Sequence, residues 1–84
     1  MRASDIERGG VYGIKSSPNY GYIKVFCVLK PKERLCYKSF TGTYRTDINT
    51  NNVIIVRCLH STVLNFDFGI VRDLLPREII KETP

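Results

Sequence analysis

Tryptophan is absent from the chain, histidine and methionine occur once each, and cysteine occurs three times in 84 residues. Each scarcity narrows the range of functions. With His60 the sole imidazole, no other is present to serve a nucleophile as its base. Cys27, Cys36 and Cys58 cannot all pair within one chain, and each lies inside a strand-like run instead of at the loop spacings of a disulfide scaffold. Reduced thiols are the expectation. No uncharged apolar run exceeds about five residues, against the roughly 18 to 20 that a bilayer span needs. The opening "MRASDIERGG" brings acids at once and has no apolar stretch of the kind a secretory signal carries. A cytoplasmic protein with no membrane partner is therefore expected. Gly9, Gly10 and Gly13 lack a following helix or a P-loop lysine, so no phosphate-cradling loop is legible. The acids are interleaved with bases in "DIER", "PKER" and "PREIIKE", as on solvated faces, and do not form catalytic carboxylate pairs.

What remains is an ordinary globular composition, 43% hydrophobic and 25% charged, with a net charge of +5 and a pI near 9.3. The length suits one compact domain over residues 1–84 with one core. The basic balance favours a polyanionic partner, either nucleic acid or an acidic protein surface.

Turn signals at Gly9-Gly10, Ser16 to Asn19, Pro31-Lys32, Thr46 to Asn52 and Pro76 cut the chain into short pieces rich in Val, Ile, Tyr, Phe and Thr, with few alanines. That pattern predicts consecutive strands in an all-β fold. The first strand is "GVYGIKS". In the second, "GYIKVFCVLK", alternation puts Ile23, Val25, Cys27 and Leu29 on one face and Tyr22, Lys24, Phe26, Val28 and Lys30 on the other. The third, "RLCYKSFTGTY", bends near Gly42. "TDINTNN" reads as a long exposed turn, followed by a fourth strand from Val53 to Leu59. "FDFGIVRD" gives a fifth, with Phe66, Phe68 and Ile70 on one face. After Pro76 about eight residues remain, too few for an independent helix, so a 3₁₀ turn and a brief edge strand are expected.

This layout resembles a small five-stranded SH3-like barrel: an opening "GGVYGIK" strand, a "GYIKVFCVL" strand that begins at a glycine, a long third and fourth strand, and a closing "DLLPREII" with a short 3₁₀ turn before the last strand. The segment from Gly21 to Leu29 is also similar to a KOW-type element. The resemblance runs roughly from Ile6 to Lys81 and implies a binding module for nucleic acid, histone tails, Pro-rich peptides or other proteins, seldom an enzyme. A Tudor-type aromatic cage would draw on Tyr12, Tyr20, Tyr22, Phe66 and Phe68. The lack of Trp counts against Pro-rich peptides, whose grooves usually include one.

Two constellations could carry chemistry. Cys58 and His60 share a strand face with Ile54 and Val56, but side chains two apart on a strand stand about 7 Å from each other, a poor setting for direct proton transfer. The simplest reading is a small core thiol and a histidine at the rim. A Cys₃His zinc site from Cys27, Cys36, Cys58 and His60 lacks the two close pairs of a zinc knuckle. No metal, cofactor or catalytic residue is expected. The second constellation is the interleaving of cations and rings in "KSSPNYGYIK" and "YKSFTGTYR". Rings stack on unpaired bases while Lys and Arg neutralise phosphates; the bland alternative is cross-strand packing with a soluble exposed face. The expected binding surface comprises Lys15, Tyr20, Tyr22, Lys24, Lys38, Tyr44, Arg45 and Arg57. The expected function is a non-catalytic module engaging nucleic acid or a nucleic-acid-handling complex. The second expectation is a stand-alone inhibitor or adaptor, of the kind made by phages and mobile elements, that binds a host protein or pairs with a second copy through an edge strand.

Overall fold

The computed structural model describes residues 1–15 and 20–81. Strands and three-residue 3₁₀ turns account for its regular structure: β1 (Val11–Ile14), β2 (Tyr22–Leu29), β3 (Arg34–Lys38), β4 (Tyr44–Ile48), β5 (Ile55–Ser61), β6 (Ile70–Leu74) and β7 (Ile79–Ile80). Five of them form an antiparallel sheet in the order β6-β5-β2-β1-β7, and β3 and β4 form a separate hairpin. The all-β architecture is as expected, but the described residues hold seven strands in two sheets where five strands were expected. No helix is long and apolar enough to cross a membrane among the described residues.

The added strands have local causes. Gly42, at φ +90°, turns the chain between Ser39 and Thr43, so "RLCYKSFTGTY" spans β3, a tip and the start of β4 instead of one bent strand. "TDINTNN" is not all turn: Thr46, Asp47 and Ile48 belong to β4, and Asn49 is completely buried. "FDF" is a 3₁₀ turn, Phe66–Phe68, started by the Asn65 side chain accepting from the Asp67 N–H, so the expected fifth strand begins only at Ile70. Phe68 is left 90% exposed. The closing segment does form a 3₁₀ turn, Pro76–Glu78, and then the short edge strand β7, with Glu78 Oε2 accepting from the Leu75 N–H at 2.7 Å. The Ser16 to Asn19 turn signal lies outside the described residues.

Simple alternation along β2 fails at one residue. Val25 pairs with Cys58 and Cys27 with Arg57, so Phe26 is an extra residue in the ladder, a β-bulge. Before it, Ile23 and Val25 point into one core with Ile6, Ile14, Val56, Cys58, Leu74 and Ile79; beyond it, Val28 takes over that face. Phe26, Cys27 and Leu29 instead join Tyr37 and Ile55 in a second core, capped by the hairpin. The expectation that Cys27 and Leu29 share a face with Ile23 and Val25 is thus corrected, although both residues are buried as expected. Each core contains one buried thiol, Cys58 in the first and Cys27 in the second.

Gly21 makes the start of β2 possible. Its φ is +130°, and a Cβ there would stand 2.2 Å from the Ser61 carbonyl oxygen. No other residue fits that approach without moving the backbone.

Candidate nucleic-acid interface

The hairpin has two dissimilar faces because its cross-strand partners point the same way. Leu35 lies opposite Asp47 and Tyr37 opposite Arg45, all turned toward the second core. Lys38 lies opposite Tyr44 and Cys36 opposite Thr46 on the outer face, where all four are exposed. Phe40, in the tip, folds back over the bulged Phe26, with ring centroids 4.9 Å apart and planes 25° from parallel. Lys24 Nζ stands 4.3 Å from the Phe40 centroid, and the Arg45 guanidinium 5.1 Å from the Phe26 centroid. Arg8 adds a further contact, lying 4.9 Å from the Tyr37 centroid while donating to the Lys38 carbonyl at 3.0 Å. Lys38 and Tyr44 thus stand on one face of the hairpin, while on the other Lys24 and Arg45 stand over the Phe40 and Phe26 rings beside a cleft of about 180 Å³ between Phe26, Phe40, Arg45 and Leu59. Ser39, Thr41 and Thr43 hydroxyls, 2.9 to 3.4 Å apart, line its outer rim.

Beneath this surface lies a charge network. Asp47, only 7% exposed, accepts from the Tyr37 hydroxyl and pairs with Arg57 Nη1 at 3.1 Å and Arg45 Nη2 at 3.7 Å. Arg57 also binds Asp73 through both carboxylate oxygens. That hydrogen-bonded carboxylate holds the Arg57 guanidinium above its ordinary pKa, although burial alone would lower it. Burial raises the Tyr37 phenol, and donation to Asp47 raises it further. Burial likewise raises the Cys27 thiol, with the Asp47 charge adding to it.

Of the eight residues expected at the surface, Lys24 and Arg45 meet at the Phe26–Phe40 stack, and Lys38 and Tyr44 pair with each other on the outer hairpin face. Arg57 does not face a partner: its guanidinium serves Asp47 and Asp73 within the fold. Tyr22 shares the Lys24 side of β2 and is half-buried. Lys15 and Tyr20 are exposed beyond the end of β1 and before the start of β2, with no side-chain contact to the hairpin group among the described residues. Arg8 and Phe26 were missed. Nothing in "DIER" marks Arg8, whose partner is 30 residues away, and Phe26, on the Lys24 face by alternation, reads as strand packing because nothing local shows that Phe40 and Arg45 lie over it.

The other candidates take ordinary structural places. The proposed cage rings do not pair with one another among the described residues, and Tyr12 accepts from the Glu7 N–H. Cys58 Sγ donates to the Arg72 carbonyl at 3.4 Å. Burial pushes its pKa up to about 12. His60 is not at the rim but buried, 8% exposed. Arg72 Nη1 lies 3.3 Å from Nδ1, and since a guanidinium only donates, Nδ1 accepts and Nε2 carries the hydrogen that bonds the Tyr20 carbonyl at 3.2 Å. The three sulfurs are dispersed: one in each core and Cys36 on the outer hairpin face, 3.1 Å from Thr46 Oγ1. No family model, curated protein or solved structure matches the chain.

Proposed function

We propose that the protein is a non-catalytic binding module for single-stranded nucleic acid, working through the outer surface of the β3–β4 hairpin. The observation that carries the reading is the exposed outer face of the hairpin, where Lys38 pairs across the strands with Tyr44, and the exposed Phe40 at its tip with Lys24 over the ring. Tyr44 is 80% exposed and Phe40 43%, so each offers ring surface on which a base can stack. Lys24 and Lys38 supply positive charge for phosphates, while the inward Asp47 is already paired with arginines. Unpaired bases suit this surface better than a duplex, whose bases are already stacked on each other. We read the curled sheet with its overlying hairpin as SH3-like, a class that commonly binds nucleic acid. Fluorescence anisotropy with labelled single-stranded and duplex oligonucleotides tests the reading. Four phosphate contacts give a slope of about −3 in log K against log salt for single strands. Absence of binding at about 50 mM salt would reject it.

A second reading, a protein-binding adaptor or inhibitor, rests on a different observation. Val63, Leu64, Phe68, Ile70 and Val71 are all at least half exposed, next to β6, whose outer edge has no strand partner among the described residues. An open edge beside apolar side chains accepts an extended strand from a partner or from a second copy. Light scattering across a concentration series, with Phe68→Asp as the control, separates self-pairing from a monomer.

A further inference from the structure

At a site remote from the hairpin, a groove of about 660 Å³ runs between three segments far apart in sequence, with Pro31 from a fourth at its border. Met1 and Ala3 form one wall, Val53 and Ile54 another, and Leu75 and Pro76 the third. The groove is shallow and open to solvent. Each wall is pinned by bonds that are not local. The Met1 ammonium donates to the Pro76 and Ile79 carbonyls at 3.0 and 2.7 Å. Buried Asn49 ties the Val53 wall to the end of β2: its Nδ2 donates to the Val53, Leu29 and Lys30 carbonyls at 2.8 to 3.1 Å, and its Oδ1 accepts from the Asn51 N–H. The Pro76 turn is held by Glu78. The groove therefore exists before any ligand arrives, which lowers the ordering cost of binding.

Its charge is one-sided. Arg2 and Arg77 both border the groove, both are exposed, and neither has an ion-pair partner among the described residues. No carboxylate lines the groove among the described residues. We propose that this groove binds a small amphipathic organic anion, an extended alkyl or aryl body bearing one carboxylate or sulfonate head. The body displaces water from Val53, Ile54, Leu75 and Pro76, and the head is met by the two guanidiniums, whose forked donors suit planar or branched oxyanions. The mostly apolar walls offer no series of cations for a polyphosphate chain, so the site is independent of the hairpin surface. None of its lining residues belongs to the hairpin.

Titration with 1-anilinonaphthalene-8-sulfonate, followed by displacement with dodecanoate, dodecanol and dodecyltrimethylammonium below their micelle concentrations, tests the proposal. Dodecanoate is expected to displace the probe at 1:1 stoichiometry, with dodecanol weaker by about tenfold for want of charge-assisted hydrogen bonds. The cationic amphiphile is expected not to displace it. Amide shifts in heteronuclear NMR are expected at Ala3, Val53, Ile54 and Arg77. The double variant Arg2→Gln/Arg77→Gln should remove the preference for dodecanoate over dodecanol while Arg34→Gln keeps it. Equal affinity for alcohol and carboxylate in the native protein would overturn the proposal, as would shifts confined to Val63–Val71. Because oligonucleotide is not expected to compete, failure here leaves the hairpin reading untouched, and the reverse also holds.

Discussion

Arg57 grips Asp73 with two parallel hydrogen bonds, Nε to Oδ1 at 2.8 Å and Nη2 to Oδ2 at 2.9 Å, and its remaining nitrogen reaches Asp47 at 3.1 Å. One guanidinium thus joins β5 to β6 and to the hairpin. Its side chain is 18% exposed and that of Asp47 is 9%, so removing the cation leaves a nearly buried carboxylate with weaker compensation. Arg57→Leu is expected to lower stability by about 2 kcal/mol, less than for a fully buried pair because Asp73 remains wet. Urea unfolding measures it. Oligonucleotide affinity of the folded variant should stay unchanged, which distinguishes this arginine from those on the hairpin surface.

The surface residues should behave the opposite way. Phe40→Ala and Tyr44→Ala each remove a ring on which a base can stack, and each should weaken single-strand binding about tenfold, within the 1 to 3 kcal/mol such stacks contribute. Lys38→Gln should instead reduce the salt slope by about 0.7. Its effect should not depend on base composition. Anisotropy titrations at four salt concentrations resolve both effects.

Alkaline pH should loosen the fold. In the unfolded chain Cys58 loses its proton near its ordinary value of 9.0, whereas the buried thiol holds it up to about 12. Between those values the folded state binds more protons than the unfolded one, so stability is complete below pH 9 and declines as pH rises through 12. The slope approaches about 1.4 kcal/mol per pH unit for each such group. Cys27 and Tyr37, both raised by burial, act in the same direction. Urea midpoints from pH 8 to 11 should fall in the native protein and fall less steeply in Cys58→Ala. A flat profile would contradict the burial of these groups.

Asn49→Asp keeps nearly the same shape and replaces a donor by a charge. The two hydrogens of Asn49 Nδ2, shared among three carbonyls, would give way to an oxygen repelled by all of them. The expected loss is about 3 kcal/mol, the scale of a buried polar group left without partners. A change under about 1 kcal/mol by urea unfolding would mean that the loop is not tied down in this way.

Much of the strand pattern was legible because it rests on side-chain period and turn chemistry. Ile23, Val25 and Val56 face one core as alternation requires, and Pro76 starts a 3₁₀ turn followed by an edge strand. Misreadings arose where a distant partner reversed a local preference. Asn49 sits in a polar run that resembles a loop, yet Leu29 and Lys30 offer it carbonyls 20 and 19 residues away. Arg57 resembled a surface cation because Asp47 and Asp73 lie 10 and 16 residues off in sequence. At the candidate site, the interleaving of Lys38, Phe40, Tyr44 and Arg45 is local and was visible. The arrival of Arg8 and Lys24 depends on how the hairpin folds over β2, which no spacing encodes.

The single surplus residue at Phe26 changes the arithmetic of β2. One continuous length of backbone supplies two separate interiors, and the bulge sets which residues serve each. Deleting that residue would leave the pairing beyond it in register, because Val25 and Cys27 already face the successive residues Cys58 and Arg57. Cys27 and Leu29 would keep their interior, but the ring on which Phe40 stacks and over which Arg45 lies would be gone.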